Sequence, residues 1–161
     1  AVAFQFAQTL QRKLNVPVGV IMVAWGGTRI EAWMTQNSLK SFPEIQVKPV
    51  SDPSKVGPND ATVLFNAMIN PLVGYGIKGI LWYQGEANRT NSEKYEQMMG
   101  SMVKEWRQLW DRDMAFYYVQ IAPFQYADNP LASARLREAQ LKASRSIPNS
   151  GMAVTMFILI F

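Results

Sequence analysis

The sequence predicts an α/β fold with a parallel sheet and helices on both faces. Three observations predict it: apolar runs of strand length alternate with segments of helical periodicity, the runs read as buried strands, and polar, glycine-containing clusters follow two of them. Parallel strands joined in this way use right-handed crossovers. The chain has 161 residues, 48% of them hydrophobic, which is the size of a single domain around one core.

Taken in order, Ala3, Phe6, Ala7, Leu10 and Leu14 follow helical spacing, and Asn15 with Pro17 closes that helix. The run Val18-Gly19-Val20-Ile21-Met22-Val23-Ala24 then reads as a buried strand emptying into Trp25-Gly26-Gly27-Thr28. Residues 35–60 are rich in Pro, Ser, Asn and Asp, a long surface excursion of the kind that serves as a lid or specificity loop. A helix is expected over 61–72, with Asp60 as N-cap, Leu64, Phe65, Met68, Ile69 and Leu72 inward, and Pro71 limiting its end.

A strand over 77–83 follows and leaves through Gln84-Gly85-Glu86-Ala87-Asn88. Thr90-Asn91-Ser92-Glu93 has the form of a capping box. It precedes a helix whose stripe, Tyr95, Met98, Met99, Met102, Val103, Trp106 and Leu109, has the spacing of core packing. The pattern continues with a strand over 115–122 stopped by Pro123, a helix over about 131–145 opened by Asn129-Pro130, and a last strand from Met152 onward. A first strand before Ala1 would complete the alternation. There is no internal repeat or low-complexity tract.

Composition excludes several classes. Sixteen Lys and Arg against twelve Asp and Glu leave a net charge of +4, spread in singles and pairs, so no dedicated nucleic-acid surface is expected. The absence of cysteine removes disulfides, thiolate metal sites and thiol nucleophiles while leaving the compartment open. No metal or cofactor is expected. The longest apolar stretch, 151–161, is shorter than the ~20 residues a membrane helix needs and reads as a strand. The opening Ala1-Val2-Ala3-Phe4-Gln5-Phe6 lacks an initiator Met and the basic flank of a signal peptide, and reads as a cut end. There is no histidine, the usual general base of serine and cysteine hydrolases.

In a parallel α/β sheet, ligands bind beyond the carboxyl ends of the strands, where loops converge and helix N–H groups face outward. Two clusters fall there. Gly26-Gly27-Thr28 is either a tight turn or a place where backbone amides approach a reacting carbonyl without a Cβ in the way. In Trp82-Tyr83-Gln84-Gly85-Glu86-Ala87-Asn88, the Gln84 or Asn88 amide can donate to a developing oxyanion, and Gly85 permits the turn that aims it. Glu86 either orients a neighbour, pairs with an arginine such as Arg137, or favours the following helix by its charge.

These residues carry a resemblance. Val16-Pro17-Val18-Gly19-Val20-Ile21, Trp25-Gly26-Gly27-Thr28-Arg29-Ile30-Glu31-Ala32-Trp33, Leu64-Phe65-Asn66-Ala67-Met68-Ile69-Asn70-Pro71-Leu72, Gly79-Ile80-Leu81-Trp82-Tyr83-Gln84-Gly85-Glu86-Ala87-Asn88 and Arg137-Glu138-Ala139-Gln140 together resemble sialate O-acetylesterases, across nearly the whole chain. The resemblance implies a single, partial domain over 1–161 with the three-layer α/β/α sandwich of SGNH or GDSL-like hydrolases, a flavodoxin-like arrangement. It implies removal of acyl groups from O-acetylated sugars by a serine assisted by histidine and aspartate, and an extracellular or periplasmic setting. Gly26, Gly27 and Gln84 match the oxyanion-binding blocks. Trp25, Arg29, Trp33, Glu86, Asn88 and Arg137 match positions implied to contact the sugar or support the site.

Two departures follow. The nucleophile of such enzymes lies in a Gly-Gln-Ser-Asn block after the first strand, and no serine here has that setting or lies in a Gly-x-Ser-x-Gly elbow. The Asp and His pair is expected beyond the last strand, where this chain reads Met156-Phe157-Ile158-Leu159-Ile160-Phe161. The chain alone is therefore expected to be close to inactive. A different class of function is a non-catalytic carbohydrate-binding module with a cleft lined by Trp25, Trp33, Trp82 and Tyr83. A hydrolase built from Glu86 with Lys78 has no support in their spacing. A sheet missing its first strand would expose an apolar edge, so homo-oligomerisation through that edge is expected.

Overall fold

Three short parallel strands, β1 (Gly79–Trp82), β2 (Ala115–Val119) and β3 (Ser150–Ala153), pair in that order. The structure is a computed structural model that describes residues 2–49 and 51–155. Parallel neighbours need a crossover, and helices α3 (Tyr95–Leu109) and α4 (Ala132–Ser146) supply the two. The α/β class and the parallel sheet are as the alternation predicts.

Period-two geometry sends successive β2 side chains to opposite faces. Phe116 and Tyr118 face α3 and α4 and are 1% and 2% exposed. They join Met98, Met99, Met102 and Trp106 of α3 and Leu136 and Ala143 of α4 in one core. The methionine-rich stripe is thus packing. Tyr117 points the other way, where α1 (Val2–Leu14) lies with the Phe6 ring 6.4 Å away. That outer layer is thin, because Ala7 is the buried residue of α1. No helix among the described residues is long and apolar enough to cross a membrane.

Several elements differ from the sequence pattern. Residues 18–24 form no strand: they pair with no described strand and leave Val20, Ile21 and Met22 exposed. Apolar composition makes a strand only where a ladder partner stands beside it. Over 61–72, Asp60 does not cap a continuous helix. Its Oδ2 accepts from the Gly57 N–H at 2.8 Å, and the backbone winds through a π-helix, Phe65–Ile69, and a 3-10 turn, Asn70–Leu72. Of the residues expected inward, Leu64, Phe65 and Ile69 are buried, and Met68 and Leu72 are half-buried.

Thr90 to Glu93 make no capping box either. Glu86–Lys94 wind as 3-10 turns broken at Asn91 (φ −128°, ψ 38°), and α3 starts from Lys94 without a side-chain cap. The stretch 35–60 is not simply a surface excursion. Thr35 caps α2 (Gln36–Leu39) by accepting from the Ser38 N–H. Leu39 and Phe42 are buried, and Asn37, Ser38 and Glu44 bond to Glu105, Ser101 and Lys94. Its first half is fastened to α3. The last strand begins at Ser150, two residues earlier than Met152, and its continuation over 156–161 lies outside the described residues.

Candidate active site

The two glycine-containing clusters lie after residues 18–24 and after β1, and the structure brings them together through side chains. Thr28 closes the first as a turn: its Oγ1 donates to the Trp25 carbonyl at 2.8 Å and accepts from the Trp33 indole N–H at 3.0 Å. Gly27 sits at φ +73°. A positive φ at the third position of a four-residue turn is the type II geometry that favours glycine. An added Cβ at Gly26 or Gly27 would meet nothing within 4 Å, so the outer side of the turn is open. Asn59 secures its far end, accepting from the Arg29 N–H at 2.8 Å and donating to the Gly27 carbonyl at 3.3 Å.

Gln84 is the hub of the second cluster. Its Nε2 donates to the Thr28 carbonyl at 2.9 Å and to Asn88 Oδ1 at 2.8 Å. An amide NH2 has two protons, and both are engaged. Its Oε1 and its backbone carbonyl both face the Tyr95 hydroxyl, at 2.8 and 3.0 Å. Burial pushes the Tyr95 phenol well above its usual range, so it remains a donor at neutral pH. Gln140 ties the hub to the exit of β2. Its Nε2 donates to the Gln84 carbonyl at 3.1 Å and its Oε1 accepts from the Ile121 N–H at 2.9 Å.

Gly85 is required by space. A Cβ there would fall 2.8 Å from Ile121 Cγ2 and 3.0 Å from Leu136 Cδ2, atoms of residues with no exposure. Asn88 also has none. Its Oδ1 accepts from the Ile30 N–H at 2.9 Å, and its Nδ2 donates to Glu31 Oε2 at 2.8 Å.

The remaining residues implied by the resemblance separate into two groups. Trp25, at 55% exposure, and Arg29 face solvent at the glycine turn, and Glu86 faces solvent beyond β1. Trp33 is buried and packs edge-on against Trp82, 6.0 Å between centroids. Of the four aromatics expected to line a cleft, Trp25 and Tyr83 are therefore open while Trp33 and Trp82 are core. Arg137 turns its guanidinium to the Ile121 carbonyl, and among the described residues it makes no ion pair with Glu86.

Glu31, Tyr95 and Gln140 were not singled out by chemistry. Tyr95 lies in the apolar stripe of α3, and Glu31 and Gln140 lie within the blocks that carry the resemblance. Among the described residues no cluster of three His, Cys, Asp or Glu side chains could hold a metal ion. A groove of about 690 Å³ runs along α3, lined by Glu96, Lys104, Arg107, Asp113 and Ile147 among others. It shares no residue with the Gln84 cluster.

A family model described as carbohydrate esterase, sialic acid-specific acetylesterase, matches residues 1–156. The sialate O-acetylesterase of Pongo abelii is 37% identical over 125 residues, covering 77% of this chain and 24% of that protein. The Homo sapiens protein of the same name is 36% identical with the same coverage. The Rattus norvegicus protein is 30% identical over 192 residues, covering 96% of this chain and 35% of its own length. The chain thus spans about a quarter to a third of the length of these curated relatives.

Proposed function

The chain belongs to the sialic acid-specific acetylesterase family of carbohydrate esterases, and on that premise we propose that it forms the oxyanion-holding half of a serine-hydrolase site. The substrate is an O-acetylated sialic acid or a related acetylated sugar. The observation that carries the reading is the Trp25–Thr28 turn, glycine at its two central positions and open on its outer side, bound to Gln84 at the end of β1. Backbone N–H groups of Gly26 and Gly27 stabilise the negative charge that develops on the acetyl carbonyl oxygen, and Gln84 completes the site from the end of β1. In this reading Trp25, Arg29 and Glu86 contact the sugar, while Trp33, Asn88 and Arg137 support the loops.

The chain has no histidine and no serine in the family's nucleophile setting. Its own residues therefore hold charge without generating the attacking oxygen, and alone it turns over little substrate. A second reading, sugar binding without catalysis, is favoured by the exposure of Trp25 and Tyr83, 55% and 52%, since such rings stack on sugar faces.

Acetate release from O-acetylated sialic acid separates the two. The protein expressed with its flanking coding sequence should release acetate, and these 161 residues alone should not. Binding of the sugar by the longer protein with no release of acetate would favour the second reading and sink the first.

A further inference from the structure

We infer that Arg89 is a specificity-determining residue that receives the carboxylate of the sialic acid on the edge formed by its Nε and Nη2, with Tyr126 holding the plane of the guanidinium. The inference rests on the esterase reading above and deepens it. A sialic acid carries an ionised carboxylate besides its acetyl ester, and the glycine turn with Gln84 serves the ester alone.

Arg89 directly follows Asn88 of the Gln84 cluster, beyond the exit of β1. Its side chain reaches the loop beyond β2, where the guanidinium carbon stands 4.2 Å from the centre of the Tyr126 ring. Tyr126 in turn pairs with Phe124, 4.7 Å between centroids. This loop leaves from Ile121, whose N–H is bonded to the same Gln140 side chain that holds the Gln84 carbonyl. The guanidinium thus lies across the carboxyl ends of two neighbouring parallel strands, where an α/β sheet takes its ligands. Stacking on an aromatic face fixes its plane in advance.

One edge of that plane is only half used. Nη2 and the Nε hydrogen point the same way, at the spacing of two carboxylate oxygens. On Arg89, Nη2 meets a single oxygen of Asp128 at 3.4 Å, long beside the ~2.7–2.9 Å of a good charge-assisted bond. Nε is buried and has no hydrogen-bond partner among the described residues, a state that costs free energy until an acceptor arrives. The Asp128 side chain is 61% exposed, and ion pairs so placed contribute little. A ligand carboxylate therefore displaces Asp128 easily and satisfies both donors at once. The other two arginines of the site lack this arrangement: Arg137 gives its guanidinium to the Ile121 carbonyl, and among the described residues the Arg29 side chain has no partner to preset it. Phe124, 62% exposed beside Tyr126, offers an apolar face to the rest of the sugar.

The test compares free sialic acid with its methyl ester, the same sugar without the charge, by calorimetry on the protein expressed with its flanking coding sequence. Neither ligand carries an O-acetyl group, so binding is read without turnover. Wild type should bind the acid at least about tenfold more tightly than the ester, the worth of charge-assisted hydrogen bonds. Arg89→Gln should abolish that preference by weakening the acid alone. Asp128→Asn should tighten the acid about threefold, because a competing carboxylate is gone, and leave the ester unchanged. A pair that only fastened the loop would give no such gain.

Equal affinity for acid and ester in wild type, no binding of either, or a preference that survives Arg89→Gln would overturn the inference, while acetate release from O-acetylated sialic acid would leave the esterase reading standing. A preference that depends on Arg89 in a protein that releases no acetate would sink the esterase reading and keep the carboxylate site. If Arg89→Gln does not fold, Asp128→Asn decides: tighter binding of the acid supports the inference, and unchanged or weaker binding contradicts it.

Discussion

The two segments that present the glycine turn and Gln84 are built on opposite terms. After β1, the side chains of Gln84, Asn88, Tyr95 and Gln140 commit their donors and acceptors to one another, to Glu31 and to nearby backbone groups within one cluster. Before the turn, residues 18–24 are apolar but leave Val20, Ile21 and Met22 at 50%, 48% and 83% exposure, with no ladder partner among the described residues. The difference teaches that the turn is held from one side. Polar bonds from Gln84, Trp33 and Asn59 position Gly26 and Gly27, while the strand-like run leading into them contributes little.

Substitutions can break that contrast, beginning where the loss is greatest. Asn88→Ala leaves the Ile30 N–H, one Gln84 proton and the Glu31 carboxyl without their partner, and should cost about 4 kcal/mol in urea denaturation. Gly85→Ala drives a methyl into Ile121 and Leu136 and should cost about 3 kcal/mol by the same measurement. Tyr95→Phe removes one hydroxyl from the hub and should cost about 1 kcal/mol near neutral pH.

The Tyr95 variant also has a pH signature. Burial raises the phenol in the folded chain, so its stabilisation is complete below the usual tyrosine value of about 10 and declines as pH rises toward the folded value. Tyr118, raised to about 12 chiefly by desolvation, acts in the same direction. Urea midpoints should therefore fall above pH ~10 in wild type and fall less steeply in Tyr95→Phe, with the Tyr118 contribution remaining. A slope unchanged by the substitution would count against the buried hub. The smallest effect belongs to the exposed segment. Met22→Ser should change stability by less than about 0.5 kcal/mol while reducing self-association in light scattering, since it removes apolar surface from an unpaired edge.

The contrast also marks what the sequence made legible. The stripe of α3, the runs that become β1 and β2, and the start of α4 after Asn129-Pro130 are local patterns, and local patterns survive into the structure. The strand expected over 18–24 failed because strand formation depends on a neighbour that the run itself does not contain. The capping box failed at Asn91, whose backbone leaves the helical region before α3 begins. At the site, the glycine pair and the Gln84 block were readable as motifs. The bond from Gln84 to Thr28 joins residues 56 apart in sequence, so no spacing rule could disclose that both amide protons were engaged.

The most direct test of the oxyanion assignment uses the geometry of the turn. Gly26 occupies the second turn position, where proline is well accommodated, and a Cβ there would meet nothing within 4 Å. Gly26→Pro should therefore delete one N–H with little effect on the fold. In the protein expressed with its flanking coding sequence, deacetylation of O-acetylated sialic acid should lose about 10²-fold in kcat, with KM and melting temperature nearly unchanged. A Gly26→Pro variant that keeps wild-type kcat would contradict the account.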